Sequence, residues 1–325
     1  MSAPRLFRPI TSAVCLASAM LLSAPAAAQD VHLLVVAGVG GDQEHVAQFN
    51  TWSIAALDAA KKRGVPDANA IYLGESVELG GARMKGRATR QNVTKAFADM
   101  AMRAKPDDQI FVLLIGHGSF DGHAAVFNLP GPDLTVSEYA GLLDRFKTQH
   151  ISFVNTASSS GGFTDALKGP ARTIVTATRT GGERNETRFP KYFVEALSAE
   201  TADRDRNGRV SVLEAFDFAA AKVKASYEQA GHILTEHATL DDGSEGKLAS
   251  TQYLSVERSR TAAAQSAAPA LRALLEQRDT LERQINDLRR QKDGMPAEQY
   301  DQQLEQLATE LALKTRAIRE LETPQ

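Results

Sequence analysis

Apolar, β-branched runs alternate with amphipathic segments of helix length along the first 250 residues. Runs that are apolar throughout are typical of strands buried on both faces of a parallel sheet. The alternation predicts an α/β fold, a three-layer sandwich around a mostly parallel sheet with right-handed crossovers. The predicted strands are Val31 to Ala37, Ala70 to Leu73, Ile110 to Ile115, Ile151 to Asn155 and Thr173 to Ala177.

The segments between these strands repeat apolar side chains at three- and four-residue steps, which is typical of helices with one buried face. Predicted helices include Gln43 to Arg63, Asn92 to Ala104 and Val136 to Phe146. Thr135 and Glu138 have the spacing of a capping box at the start of the third.

The hydrophobic pattern changes near residue 255, where we place the end of an α/β domain that spans residues 29–255. Residues 256–268 are rich in Ala and Ser and predict a linker. Residues 269–325 predict two helices separated by Gly294 and Pro296, paired as an antiparallel coiled-coil hairpin. The hairpin is expected to serve self-association into a homo-oligomer or docking. Its apolar stripes are Leu274, Leu281, Ile285 and Leu288, then Tyr300, Leu304, Leu307, Leu311, Ile318 and Leu321.

The N-terminus has the three-part pattern of a secretory signal peptide. Arg5 and Arg8 precede an apolar run, and Ala26 to Ala28 provide small residues at a cleavage site. We expect cleavage after Ala28 and a periplasmic or secreted protein. Cys15 is the single cysteine of the chain, so cleavage would leave no thiol for disulfides, metal binding or catalysis.

Charge and hydropathy exclude two classes of partner. The chain has 37 Lys and Arg against 40 Asp and Glu. Loss of the two arginines in residues 1–28 changes the balance to 35 minus 40, or −5. Nothing in this composition indicates nucleic acid binding. No segment of the mature chain approaches the roughly 20 apolar residues of a membrane-spanning helix.

Ligands of open α/β sheets bind beyond the carboxyl ends of the strands, so the residues that follow each strand are the candidates for a binding or catalytic site. Gly116-His117-Gly118-Ser119 follows one predicted strand, and Thr156-Ala157-Ser158-Ser159-Ser160-Gly161-Gly162 follows the next. Gly38-Val39-Gly40-Gly41 follows the first. All three segments consist largely of residues with small side chains, and their glycines allow a flexible backbone.

These motifs make the chain resemble the caspase and legumain clan of cysteine peptidases. FVLLIGHGSFDG ends a strand on His117 and Gly118, as the His-Gly pair of that clan does. In ISFVNTASSSGGF, Ser158 stands where those peptidases have the nucleophilic cysteine. The resemblance covers most of residues 31–246 and implies a caspase-like fold. It also implies an oxyanion hole formed by the backbone amides of Gly118 and Ser158.

The replacement of cysteine by serine decides the expected function. A thiol ionises near neutral pH, whereas an alkanol needs a hydrogen-bonded base. The first hypothesis is therefore an exported pseudopeptidase, with His117 and Ser158 as a degenerate dyad, that binds a protein or peptide. The alternative is an active serine-type peptidase that uses Ser158 as nucleophile and His117 as base. Three consecutive serines leave the nucleophile open between Ser158, Ser159 and Ser160.

A calcium loop is the sharpest metal motif in the sequence. Ligand residues of the loop occupy positions 1, 3, 5, 9 and 12, Gly208 occupies the turning position 6, and Arg209 at position 7 offers its carbonyl. Helices are predicted on both sides, over Lys191 to Leu197 and Leu213 to Tyr227. An ordinary polar turn between helices is the alternative. The side-chain ligands would be Asp203, Asp205, Asn207, Ser211 and Glu214.

Two weaker patterns have simpler explanations. His117, Asp121 and His123 could chelate a metal, but the spacing matches no common zinc motif, and an exposed polar turn explains it. Gly38 and Gly40 begin a dinucleotide fingerprint that Gln43 interrupts, so a tight turn is sufficient.

Overall fold

A computed structural model describes residues 29–205, 207–256, 269–290 and 295–322. The predicted signal peptide, nearly all of the linker and the break near Gly294 lie outside these ranges. The strands are β1 Val31–Ala37, β2 Ala70–Gly74, β3 Gly86–Arg87, β4 Gln109–Ile115, β5 Gly118–Phe120, β6 Ala125–Phe127, β7 Leu134–Thr135, β8 His150–Asn155, β9 Arg172–Thr176 and β10 Thr239–Asp241. The helices are α1 Gln43–Lys62, α2 Val77–Gly80, α3 Arg90–Arg103, α4 Val136–Leu143, α5 Thr164–Leu167, α6 Phe189–Ala196, α7 Val212–Gln229, α8 Pro269–Arg290 and α9 Ala297–Glu322.

Seven strands form one mostly parallel sheet in the order β10-β9-β8-β4-β1-β2-β3. The strand pairs are parallel except for β10, which runs antiparallel to β9 at one edge. β4 and β8 are direct neighbours, and Leu114 lies opposite Asn155 at their carboxyl ends. The segments that follow these two strands therefore meet at one edge of the sheet.

Helices cover both faces of this sheet, because side chains alternate between the faces along each strand. Leu33 and Val35 of β1 pack in a cluster with α1, α6 and α7. Leu34 and Val36 pack on the opposite face with α3, α4 and α5. The fully buried β1 explains why its sequence is apolar throughout and does not alternate.

The predicted α/β class and mostly parallel sheet are confirmed. All five predicted strands are present with ends that differ by at most one residue. The Thr135 capping box is also present, with Thr135 accepting from the Glu138 amide and Glu138 accepting from the Thr135 amide. The antiparallel β10 and the small sheet β5-β6-β7 were not predicted, because strands of two or three residues have too few positions to show a period.

The C-terminal helices α8 and α9 occupy the positions predicted for the hairpin. Leu281, Ile285 and Leu288 of the first stripe are buried, as are Tyr300 and Ile318 of the second. Pairing of the two helices as a coiled coil stays a prediction.

The acidic turn at residues 241–246, near the end of the α/β domain, contains a buried carboxylate, Asp242. Asp242 accepts backbone N–H bonds from Ser244, Gly246 and Ala249 at 2.8 to 3.0 Å. Burial alone would raise the pKa of Asp242, but these amides outweigh it and hold the pKa below the ordinary value of 3.8. The folded state therefore gains stability from this carboxylate above its ordinary pKa and loses it as the pH falls through the lowered value.

We expect Asp242→Asn to lower the free energy of unfolding at neutral pH by about 2 kcal/mol, because hydrogen bonds to an ionised acceptor are lost. Urea denaturation at pH 7 and pH 3 measures this, and the difference from wild type should shrink at the lower pH. Glu245→Gln, at an exposed position of the same turn, is the control and should have no effect. Equal effects of the two substitutions would contradict a structural role for Asp242.

Candidate functional site

The segments that carry His117 and Ser158 lie side by side because they follow neighbouring strands. His117 is the second residue after β4, and Ser158 is the third residue after β8. Contact between the two segments is direct, since Ser158 bonds to Gly118. The structure thus places the predicted His-Gly and Ala-Ser pairs in one site at the carboxyl edge of the sheet.

The Ser158 hydroxyl is fully engaged with the backbone of Gly118. Its Oγ donates to the Gly118 carbonyl at 2.9 Å and accepts from the Gly118 amide at 3.2 Å. The residue is 5% exposed. Within the described part of the chain, Ser158 Oγ has no hydrogen bond to His117. The hydroxyl proton therefore faces a carbonyl, which cannot remove it.

Close approach of the two backbones requires a glycine at position 118. A Cβ on Gly118 would lie 2.2 Å from the Ser158 carbonyl oxygen and 3.0 Å from that of Val126. Both are backbone atoms, so neither can rotate away. The glycine is thus needed to bring the Gly118 amide, a predicted oxyanion donor, next to Ser158.

The His117 ring is held by one hydrogen bond and two aromatic contacts. Its Nε2 lies 3.2 Å from the Gly40 carbonyl, which can only accept, so Nε2 carries the proton. The rings of His45 and Phe49 pack edge-on against it, with centroids 5.0 and 5.2 Å away. In the neutral ring, Nδ1 then has a free lone pair. A backbone carbonyl, and not a carboxylate, orients this histidine among the described residues.

The neighbouring serines have structural environments. Ser159 has a left-handed backbone with φ of 58°, and its amide donates to the Glu183 carbonyl at 2.8 Å. Ser160 Oγ lies 3.2 Å from Thr178 Oγ1 and is fully buried. Of the three serines, Ser158 is the one whose hydroxyl contacts Gly118.

The two weaker sequence patterns do not form sites. The Asp121 carboxylate accepts hydrogen bonds from the backbone amides of His123 and Ala124, as in an ordinary polar turn. These bonds, chiefly the one from Ala124, lower the pKa of Asp121. A Cβ on Gly38 would lie 2.4 Å from the Asn128 carbonyl, and one on Gly40 2.6 Å from Val46, so tight packing accounts for both glycines.

The calcium motif folds as a compact loop between a short 3₁₀ turn at Glu200–Ala202 and helix α7. Carboxylate oxygens of Asp203, Asp205 and Glu214 all lie within 4.8 Å of one another. Within the described ranges they are the one group of three or more His, Cys, Asp or Glu side chains that could share an ion. Gly208 has φ of 81°, which supplies the sharp turn, and Ser211 caps α7.

Backbone amides support the carboxylates of this loop. Asp203 accepts from the amides of Asn207 and Gly208 at 3.0 and 2.7 Å, and Glu214 accepts from those of Arg204 and Ser211. Each Asp203 oxygen accepts one such bond and keeps a second lone pair. Both Glu214 oxygens accept two bonds, Oε1 from the amides of Arg204 and Asp205 and Oε2 from the amide and hydroxyl of Ser211, so an ion would have to replace one of these contacts. Carboxylate oxygens are hard donors of the kind that calcium prefers.

Two arginines of the loop have partners outside the three carboxylates. Arg204 bonds to Asp217 at 3.2 Å, and the Arg209 guanidinium lies over the Tyr253 ring at 4.0 Å. Arg206 lies outside the described residues.

An ionic cluster beside His117 was not predicted from the sequence. His45, on the first turn of α1, lies between Asp42 at 2.8 Å and Glu186 at 3.2 Å. The hydrogen bond that the His45 ring donates to the Asp42 carboxylate is the main cause that raises the pKa of His45 above 6.5. The backbone amide of His45 in turn lowers the pKa of Asp42. The Asp-x-x-His spacing at the helix start was visible, but Glu186 comes from 141 residues away.

Neither the protein-family models nor the curated protein sequences contain a match to this chain. None of the described helices has the length and apolar character that crossing a membrane requires.

Proposed function

We propose that this protein is an exported, caspase/legumain-like pseudopeptidase that binds a protein or peptide at the His117–Ser158 edge without cleaving it. The observation that carries the proposal is the hydrogen bond from Ser158 Oγ to the Gly118 carbonyl. A serine nucleophile needs a base that accepts its proton. Here the proton is directed to an atom that is not basic.

Retention of the other half of the site argues for binding. His117 is oriented by Gly40, and the Gly118 amide donates to a hydroxyl oxygen that a ligand carbonyl oxygen could replace. The Ser158 amide donates to no other residue in the described part of the chain. Two backbone donors at one point suit a peptide carbonyl.

A fluorophosphonate probe tests the loss of catalysis. We expect no labelling of wild-type mature protein, as in Ser158→Ala and His117→Ala, because the serine is not activated. An immobilised peptide library should contain sequences that wild type and Ser158→Ala bind equally. Labelling of wild type that both substitutions abolish would establish the serine-type hydrolase instead.

We also propose that the loop around Asp203, Asp205 and Glu214 binds one calcium ion. Supporting this are the convergent carboxylates and the contacts of Arg204 and Arg209 with other groups, Asp217 and the Tyr253 ring. Asp203, Asp205, Asn207 and Glu214 would offer side-chain oxygens and Arg209 its carbonyl. Calcium would link the start of α7 to the preceding segment.

Calorimetric titration should show one site with a Kd of about 10⁻⁴ to 10⁻³ M, the range of extracellular modules. Asp205→Asn should weaken binding at least about tenfold, because one formal charge is lost from the ligand set. Glu228→Gln is the matched control, since it removes one formal charge from an exposed position near the far end of α7, outside the ligand set. Absence of binding, or equal weakening by both variants, would contradict a calcium site.

The C-terminal helices are proposed to pair as a coiled coil that mediates self-association. Leu313 and Leu321 of α9 are 61% and 53% exposed, whereas Tyr300 and Ile318 of the same helix are buried. Light scattering should show a multimer in wild type and a smaller species in the Leu313→Gln, Leu321→Gln double variant. A monomeric wild type would remove the self-association proposal.

A further inference from the structure

His45 connects two loops at the edge of the site. Asp42 belongs to the loop after β1, and Glu186 belongs to the segment between β9 and α6. Both carboxylates are more than half exposed, so the His45 ring spans an open surface between the loops. The same ring packs edge-on against His117 at 5.0 Å.

The number of protons on His45 decides whether both contacts can exist. An imidazolium has two N–H groups and can donate to both carboxylates. A neutral imidazole has one N–H, so its other nitrogen presents a lone pair to a negative oxygen. The Glu186 contact is the longer, and Asp42 also accepts the His45 backbone amide at 2.8 Å. Deprotonation should therefore release Glu186 first.

The Glu186 segment also touches the Ser158 turn. Thr187 Oγ1 donates to the Thr156 carbonyl at 2.6 Å, and the Glu183 carbonyl accepts the Ser159 amide at 2.8 Å. Motion of this segment would thus reach the turn that carries Ser158, while motion of the His45 ring would reach His117.

We propose that the Asp42–His45–Glu186 bridge is a pH-operated positioning device for the binding site. With His45 protonated, the bridge holds the β1 loop, the Glu186 segment and the His117 ring in one arrangement. When His45 is neutral, the contact between His45 and Glu186 breaks and the Glu186 segment separates from the β1 loop. The meaning of this device for ligand binding rests on the proposed function.

The groups that face His45 define the pH range. These are Asp42 on its own helix turn, Glu186 from the segment after β9, the neighbouring His117 ring and the apolar Phe49 ring. Since the two carboxylates raise the pKa of His45 above 6.5, the bridge is complete below that pH. It is lost as the pH rises through the raised value.

Nitrogen-15 NMR of histidine-labelled, full-length mature protein between pH 5.5 and 9 tests the device. In wild type, the ring signals of His117 should show an inflection at the midpoint of His45 titration, besides any titration of His117 itself. In Glu186→Gln, the Gln side-chain NH₂ can donate to neutral His45, so the bridge persists. That inflection in His117 should then shrink to the part that the changing charge of the adjacent His45 ring causes directly, and His45 should titrate at a lower pH.

Glu228→Gln, on the exposed side of α7, is the control and should retain the inflection. The proposal is wrong if the His117 signals pass the His45 midpoint unchanged, or if Glu186→Gln retains the full inflection. Failure of the proposed function is a separate result, because fluorophosphonate labelling of wild type would leave this coupling in place.

Discussion

Ser158→Cys is expected to react with peptidyl acyloxymethyl ketones and to hydrolyse peptides, whereas the proposed function predicts that the wild type does neither. A thiol reaches its nucleophilic form near neutral pH without a base hydrogen-bonded to it. His117 already has Nε2 bonded to Gly40, which leaves Nδ1 free for proton transfer. We expect a rate at least about 100-fold above wild type, the lower range of general acid–base catalysis.

The adjacent serines provide matched controls for this substitution. Ser159→Cys and Ser160→Cys add the same thiol one and two residues further along, but both positions are buried and neither hydroxyl contacts Gly118. They should remain unreactive, and His117→Ala should abolish the peptide hydrolysis of Ser158→Cys. Peptidase activity in Ser159→Cys, or none in Ser158→Cys, would overturn the hypothesis that serine at position 158 is the one change that prevents catalysis.

The sequence predicted which strand ends meet, because buried parallel strands have a strong apolar signal. Val31 to Ala37 and Ile110 to Ile115 are apolar in almost every position, and parallel order places their carboxyl ends at one edge. The positions of His117 and Ser158 followed directly from this pattern. The motif of the proposed calcium loop was equally visible, since all its candidate ligands lie within 12 residues.

The finer geometry depends on contacts between distant segments, which a sequence pattern does not report. The choice of Gly118 as the partner of Ser158 joins residues 40 positions apart. The His45–Glu186 contact joins residues 141 positions apart. Both depend on side-chain rotamers and loop paths at the sheet edge, where no periodicity constrains the chain.

Gly118→Ala is expected to be among the most destabilising single-methyl changes at this edge. The added Cβ would lie 2.2 Å from the Ser158 carbonyl oxygen, so β5 and the Ser158 turn must separate. Forced backbone shifts in a packed region cost about 1 to 3 kcal/mol or more. Urea denaturation should therefore show that the free energy of unfolding falls by an amount near the upper end of this range. Separation would also break both hydrogen bonds between Ser158 and Gly118.

Gly141→Ala provides the same chemical change without the clash. Gly141 lies in α4, and a Cβ there has no atom within 4 Å. Because alanine favours the helix, this variant should be more stable than wild type by up to about 1 kcal/mol. In the Ser158→Cys background, Gly118→Ala should also abolish peptide hydrolysis, since the amide that stabilises the developing oxyanion moves away. Stability equal to wild type in Gly118→Ala would show that the two backbones are not in contact, and the assignment of Gly118 as an oxyanion donor would fall with it.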